Sequence, residues 1–519
     1  MNNQRTIIGR LFRDRWDAAS AAALLFFVLY LLALYLSGLF IDWEELTLEP
    51  FFILRGMRLY SDIATHHTPL LSGFMVVLYR LTGIHVIVRQ MVLLLVSAAT
   101  ALLMFRAVRR LAGKRAAFFS LALFSIFWPF YGGTDFWFDT FLPVLFLAAF
   151  LLVIGRDSPW RLALAGVFLG VAFLVKPNGG QVALVIFILL LARAKPWPRR
   201  LQDAALYSGG VVLPVFLAAA WYAVHGRLGD AIYWIFTYNL SGAYMRHGLH
   251  PPSLPDAVRL LVVIVPILVL LTVSLFSAAV RRKISWEFRL AFYMGFIASL
   301  ALIPRWERFH VAPALPFLVI CLVLSFQRIL RVSREAKAGR WKKAAVLFSA
   351  AWTLAVVLDI GTYYPPILAD KIIPNFSRSW PLRSYGVPAW FDESARRYMR
   401  DIPLIGKYLR EATSEGDKIF VWGWLGSRLY LESGRLPSGK FYYTLPWFTG
   451  LPQFRRDLMT SLTQGHPRYV VVLKRPYPGT PTLEDLGIDL SKMGYVMRPE
   501  LEARFPEVAF WTSAGSGPR

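Results

Sequence analysis

A chain of 519 residues could hold several soluble domains, but 56% hydrophobic and 17% charged residues, with a mean hydropathy of +0.48, exclude that reading. The net charge of +25 is gathered in clusters between apolar runs, which suits loops facing an anionic membrane leaflet, and nucleic acid is not an expected partner. The only cysteine, Cys321, lies inside an apolar run, so neither an intramolecular disulfide nor a cysteine-built zinc site is available.

The first apolar run, Ala18–Ile41, is too long and too late for a signal peptide, and no small-residue cleavage site follows it. It reads as a retained first span. Further runs follow at Val88–Val108, Ala116–Phe130, Thr140–Ile154, Leu162–Val175, Gln181–Ala192, Ala205–Val224, Ala257–Val280, Phe288–Ile303, Val311–Phe326 and Ala344–Tyr363. A helix of about 20 apolar residues crosses a hydrocarbon core of roughly 30 Å, so about eleven spans are predicted in an all-α polytopic membrane domain. The basic clusters occupy alternate connections: Arg5 to Arg15, Arg106 to Arg115, Arg193 to Arg200, Arg281 to Lys283 and Arg328 to Lys343. The positive-inside rule makes all of them, and the N-terminus, cytoplasmic. Leu70–Gly83 is apolar too, but counting it as a span would put every later basic cluster outside. It is therefore predicted to be a helix lying in the outer interface, within the first external loop.

That parity leaves residues 364–519 outside as a separate unit from the membrane domain, 1–363. Helical spacing over Ser394–Glu411 leads through a turn at Ser414-Glu415-Gly416-Asp417 into a strand-like run, Lys418–Trp424. A second β-branched run, Tyr469–Leu473, precedes the Pro/Gly-rich Pro476–Pro481. A small α/β domain is predicted, with no internal repeat.

The polar residues of interest lie in the external connections. The first loop carries Asp42, Glu44, Glu45 and Glu49, then His66 and His67. The next connections carry Asp135 and Asp139, then Lys176, then Arg305, Glu307, Arg308 and His310. Asp42 ends a span and Asp139 opens one, where it also suits an N-cap. Lys176 could snorkel from its span end, but cations are scarce on this face and a phosphate contact is expected of it. Arg305 and Arg308 break the positive-inside trend and offer bidentate forks for a phosphate. Adjacent histidines point apart in regular structure and no spaced partner set accompanies His66 and His67, so a structural role is expected and no metal. The aromatics Trp128, Phe130, Tyr131, Phe136, Trp137 and Phe138 read as an interfacial belt, and Glu49 as a bystander on an interfacial helix. Carboxylates and cations at one face suit a reaction on a lipid-linked phosphosugar: a carboxylate takes a hydroxyl proton while cations hold the leaving phosphate.

The order of these residues resembles the glycosyltransferase-C superfamily, specifically bacterial relatives of protein O-mannosyltransferases and aminoarabinose transferases. Asp42 through Gly56 to Tyr60-Ser61-Asp62 is similar to that family's first-loop pattern, and His67-Thr68-Pro69-Leu70 to its His-Pro-Pro-Leu, with Thr68 in place of the first proline. AGVFLGVAFLVKPNGG, RWERFHVAPALPFL and IFVWGWLGSRLYLESGRLP resemble its Gly-rich span ending in Lys-Pro, its Arg…His…Pro-x-x-Pro span and the start of its external domain. Where the family often has Asp-Glu, Trp43 follows Asp42, so Glu44 or Glu45 stands for the second acid. The resemblance implies a bacterial inner-membrane enzyme that moves a monosaccharide from a polyprenyl-phosphate donor to a hydroxyl of an envelope acceptor (protein, lipid or glycan). It implies a periplasmic, inverting displacement without a cofactor. Asp42 would be the base, and Asp139 would shape the acceptor pocket or tune Asp42. Lys176, Arg305, Arg308, His310, Glu44, Glu45 and His67 would bind substrate. The rival class is a transporter or flippase of lipid-linked sugars, which repeat symmetry and midplane polar breaks would favour.

Overall fold

The structure is a computed structural model, and it describes residues 17–36, 40–129, 131–155, 158–242, 254, 285–302, 307–335, 393–474 and 479–514. The predicted runs Ala257–Val280 and Ala344–Tyr363, the boundary at 363/364, Phe130 and Arg305 lie outside the described residues.

Nine of the predicted runs overlap helices among the described residues. They are α1 (Ala18–Leu34), α4 (Val86–Ala112), α5 (Lys114–Phe127), α6 (Phe138–Val153), α7 (Pro159–Val175), α8 (Asn178–Leu191), α9 (Trp197–Val224), α10 (Trp286–Ser299) and α11 (Leu315–Glu335). Local sequence sets several starts. Asp17 caps α1 by accepting from the Ser20 amide at 2.8 Å, Ser285 caps α10, and Pro159 occupies the first turn of α7. Between α4 and α5 the chain turns on Gly113 alone, at φ +87°, a conformation that disfavours any side chain. Two helices, α4 and α9, are long and apolar enough to cross a membrane by themselves. Along α9, Val212, Leu213, Phe216, Leu217 and Val224 are exposed, a surface suited to lipid rather than water.

One end of the bundle gathers the basic connections. Arg110 donates to Ile154 O at 2.9 Å and Arg193 to Val153 O at 3.3 Å, both at the C-terminus of α6, where cations also meet the helix dipole. Lys114 pairs with Asp17 at 2.8 Å, and Arg193 lies 4.6 Å over the Trp286 ring. The acids and cations of the external connections meet at the other end of α6. Its 16 residues separate the two groups by about 24 Å.

At that second end lie α2 (Glu45–Leu54) and α3 (Leu70–Thr82). Ser72, near the start of α3, meets Glu49, and Tyr79, near its finish, faces Asp42 and Arg89. The helix thus begins and ends on one side of the bundle, burying Leu71, Met75 and Tyr79 and exposing Phe74, Val77 and Leu81.

In the tail, α12 (Glu393–Glu411) precedes β3 (Lys418–Trp422), and the intervening turn is tied by the Ser414 amide donating to Asp417 at 2.8 Å. With β4 (Leu436–Pro437), β5 (Tyr469–Leu473), β6 (Tyr495–Met497) and β7 (Val508–Ser513), β3 forms a five-stranded sheet in the order β4-β3-β5-β7-β6. The β3 pairings are parallel and the β7 pairings antiparallel. The sheet's apolar cluster is continuous with the first external loop: Phe52 packs on Tyr430 and Tyr442 with ring centroids 5.7 and 5.2 Å apart.

Candidate active site

Asp42 is the second residue of a two-residue strand, β1 (Ile41–Asp42), which pairs in parallel with β2 (Asp135–Phe136). This pairing brings the first and second acidic connections side by side. The Asp42 carboxylate accepts from Arg89 at 3.0 Å and from the Thr47 hydroxyl at 3.0 Å, and Arg428 of the tail stands 3.8 Å away. The side chains of Asp42, Arg89 and Arg428 are 4%, 2% and 3% exposed, so these charges interact with little screening by water. Next along the chain, Glu44 accepts from the Ser427 hydroxyl. Burial pushes its carboxyl well up from the usual range, against the pull of Arg428, while Glu45 and Asp42 add to the rise.

Asp139 forms the second centre. It sits in the first turn of α6, and its carboxylate bonds side chains from other elements, so it is not the N-cap the sequence suggested. Its Oδ2 accepts from Lys176 Nζ at 2.5 Å and from His310 Nδ1 at 2.9 Å. Lys176 is the residue that ends α7, and His310 belongs to a short 3-10 turn before α11. Burial and the neighbouring Lys176 push the His310 imidazole down, toward its neutral form. A neutral ring donating from Nδ1 leaves Nε2 as an acceptor. Lys176 carries three N–H donors and Asp139 uses one, so it keeps capacity for a second anionic oxygen.

Aromatic rings join the two centres. Trp43 donates to Asp135 at 3.0 Å and meets Trp137 and Phe309 edge-on at 5.8 and 5.2 Å. His67 stacks on Phe138 at 3.9 Å. Trp128, Tyr131, Phe136, Trp137 and Phe138 are all buried, which corrects their reading as an interfacial belt: Trp137 and Phe138 line the site against Trp43 and His67, and the others pack inside the bundle. His66 and His67 do not point apart, since their rings lie 4.2 Å from one another in irregular backbone. Among the described residues no three His, Cys, Asp or Glu side chains gather where a metal could sit. The backbone of Arg308 opens the 3-10 turn, and its side chain lies outside the described atoms.

Sequence reasoning missed Arg89, Thr47 and Arg428. Arg89 had a signal, because it stands at the outer end of its span and breaks the positive-inside trend as Arg305 does. Glu49, read as a bystander, is fully buried, accepting from Ser72 at 2.5 Å and Tyr442 at 3.3 Å.

The sequence model of the family described as dolichyl-phosphate-mannose-protein mannosyltransferase matches residues 66–222, the stretch holding His67, Asp139 and Lys176. Among solved structures, ArnT from Cupriavidus metallidurans bound to undecaprenyl phosphate aligns over 97% of this chain and 100% of its own, at TM-score 0.58 and 16% identity. Its apo state aligns over the same shares at TM-score 0.56 and 15% identity. An oligosaccharyltransferase of Archaeoglobus fulgidus aligns over 87% of this chain and 69% of its own, at TM-score 0.47 and 13% identity. No curated protein matches in sequence. The chain thus shares the ArnT fold over nearly its whole length and carries, over residues 66–222, a sequence match to the mannosyltransferase family model.

Proposed function

We propose that the chain transfers a monosaccharide from a polyprenyl-phosphate donor to a hydroxyl of an envelope acceptor, by inverting displacement at the periplasmic face of a bacterial inner membrane. Two buried acid–cation centres, Asp42–Arg89 and Asp139–Lys176–His310, lie at the same end of the bundle and are joined through the pairing of β1 with β2. That single observation carries the reading. Arg89 and Thr47 fix the orientation of Asp42, which suits a general base, because its remaining lone pairs are aimed before a substrate arrives. Lys176 has donors to spare for a leaving phosphate, and a dry site strengthens that charge-assisted contact. Glu44, whose burial favours its neutral form, serves as a hydrogen-bonding partner to the acceptor, with Glu45 beside it; His67 forms part of the aromatic wall. Arg305 and Arg308 are proposed to complete the phosphate contacts. No cofactor enters the scheme. The ligand named for the ArnT structure, undecaprenyl phosphate, supports a lipid-phosphate site in this fold.

A flippase would place its polar breaks near the midplane. Here the described carboxylates and cations of the site gather at one end, which favours the transferase. Asp42→Asn in purified protein should keep undecaprenyl phosphate binding and lower transfer from lipid-linked sugar by roughly 100-fold or more. Near-normal transfer would move the base to Glu44, Glu45 or Asp139. Normal leaflet exchange of labelled donor in vesicles, lost in Lys176→Ala without any measurable transfer in wild type, would favour the flippase.

A further inference from the structure

We propose that Glu49 is a positioning residue that works as a proton-operated latch, pinning the Asp42 loop to both α3 and the tail while its carboxyl is neutral. It lies on α2, the helix whose Thr47 hydroxyl holds Asp42. Its two oxygens reach different parts of the chain: Oε2 accepts from Ser72 of α3 at 2.5 Å, and Oε1 from Tyr442 of the tail at 3.3 Å. The same seam is crossed by a backbone bond, the Ala64 amide donating to Lys440 O at 2.9 Å. One buried carboxyl therefore fastens three segments of the chain together.

The surroundings of Glu49 favour its neutral form. The titratable groups facing it are Tyr60 of the first loop, Tyr222 of α9, and Tyr442 and Tyr443 of the tail, with Glu45 one turn back on its own helix. Tyrosines stay uncharged below about pH 9, and a second carboxyl only disfavours ionisation. Among the described residues no cation pairs with Glu49, and burial raises its pKa to about 7, outweighing the Ser72, Thr65 and Tyr442 hydroxyls, whose bonds to it all pull the other way. An acid whose pKa is higher when docked than when exposed docks best below its exposed value, near 4.5. As pH rises, docking weakens by about tenfold per unit until the docked value is passed, and it changes no further above it. Docking is thus strongest in acid and weakest, though not abolished, above about pH 7.

As a device for positioning Asp42 this rests on the transferase reading, but the latch itself can be measured without donor or acceptor. Hydrogen exchange of the full chain in lipid nanodiscs would follow the Ala64 amide, whose acceptor lies across the seam. After correction for intrinsic exchange, wild-type protection should fall about tenfold per pH unit between pH 5 and 7 and then level off. Glu49→Gln, which imitates the neutral acid, should keep high protection with no slope. Ser72→Ala keeps the carboxyl and removes a donor that lowers its pKa, so the plateau should begin at a higher pH. Amides inside α6 serve as the folding control. Equal slopes in wild type and Glu49→Gln would overturn the latch, as would an unshifted plateau in Ser72→Ala. Because no substrate takes part, a failure here leaves the transferase reading standing, and a failure of transfer leaves the latch standing.

Discussion

Asp139 and Lys176 pose the sharpest question at the scale of single residues, because the same contact can be structural or catalytic. Asp139 is fully buried and Lys176 nearly so, 2.5 Å apart. Removing one partner strands a charge in a dry site, which typically costs about 3–5 kcal/mol, whereas removing both often costs much less. Lys176→Met alone should therefore lower the thermal midpoint in detergent markedly, and Asp139→Asn combined with Lys176→Met should recover most of that loss. A double variant as unstable as the sum of the singles would mean that the pair contributes little to the fold. These residues were legible from sequence because acids and cations at the outer membrane face are uncommon enough to notice. Arg428 and the role of Glu49 were not, and for Arg89 the charge could be noticed but not its partner. Their significance comes from partners distant in the chain, Asp42 for the two arginines and Tyr442 for Glu49, and no spacing rule encodes such pairings.

Elements were easier to read than their surroundings. Apolar runs gave the helices, although α4 and α9 extend past the predicted Val88–Val108 and Ala205–Val224. The extra turns carry arginines whose polarity ended the apolar run without ending the helix. Hydropathy also could not say whether an apolar side chain faces lipid or protein, which is why Trp137 and Phe138 were misassigned. Packing of α7 on α9 shows what lay beyond the pattern. A Cβ on Gly166 would stand 2.0 Å from Tyr207 O, and one on Gly210 2.0 Å from Ala163 O, so the two backbones touch through paired glycines. The adjacent Gly209 has nothing within 4 Å of its would-be Cβ. Gly210→Ala should destabilise by about 1–3 kcal/mol through forced separation. Gly209→Ala should be neutral or stabilising by up to about 1 kcal/mol, as for a helical Gly→Ala with free space. Thermal unfolding of the two variants, one residue apart, reads the opposite signs directly.

For the whole molecule the decisive property is which end faces which compartment. The described helices sort consistently. Lys114, Arg110 and Arg193 mark one end, while Asp42, Asp139, Lys176 and the tail's Arg428 mark the other. The tail thus lies on the side of the acidic centres through a direct contact, independently of any count of spans. The positive-inside rule then predicts that the tail is periplasmic and that the connection between α8 and α9 is cytoplasmic. The chain suits a thiol test because Cys321 is buried and should stay silent. Ser414 and Gln202 are exposed, one in the tail and one near the start of α9, whereas Ser433 is fully buried and would report nothing. Ser414→Cys should react with a membrane-impermeant maleimide in intact spheroplasts, and Gln202→Cys only after lysis. The reverse pattern would put both acidic centres in the cytoplasm, beside nucleotide-linked sugars, and would remove the reason for a lipid-linked donor. Labelling of both in intact cells would instead show leaky membranes. Orientation is therefore the observation on which the choice of donor depends, since a site that opens to the periplasm has no nucleotide sugar to draw on and must take its sugar from a carrier already in the bilayer.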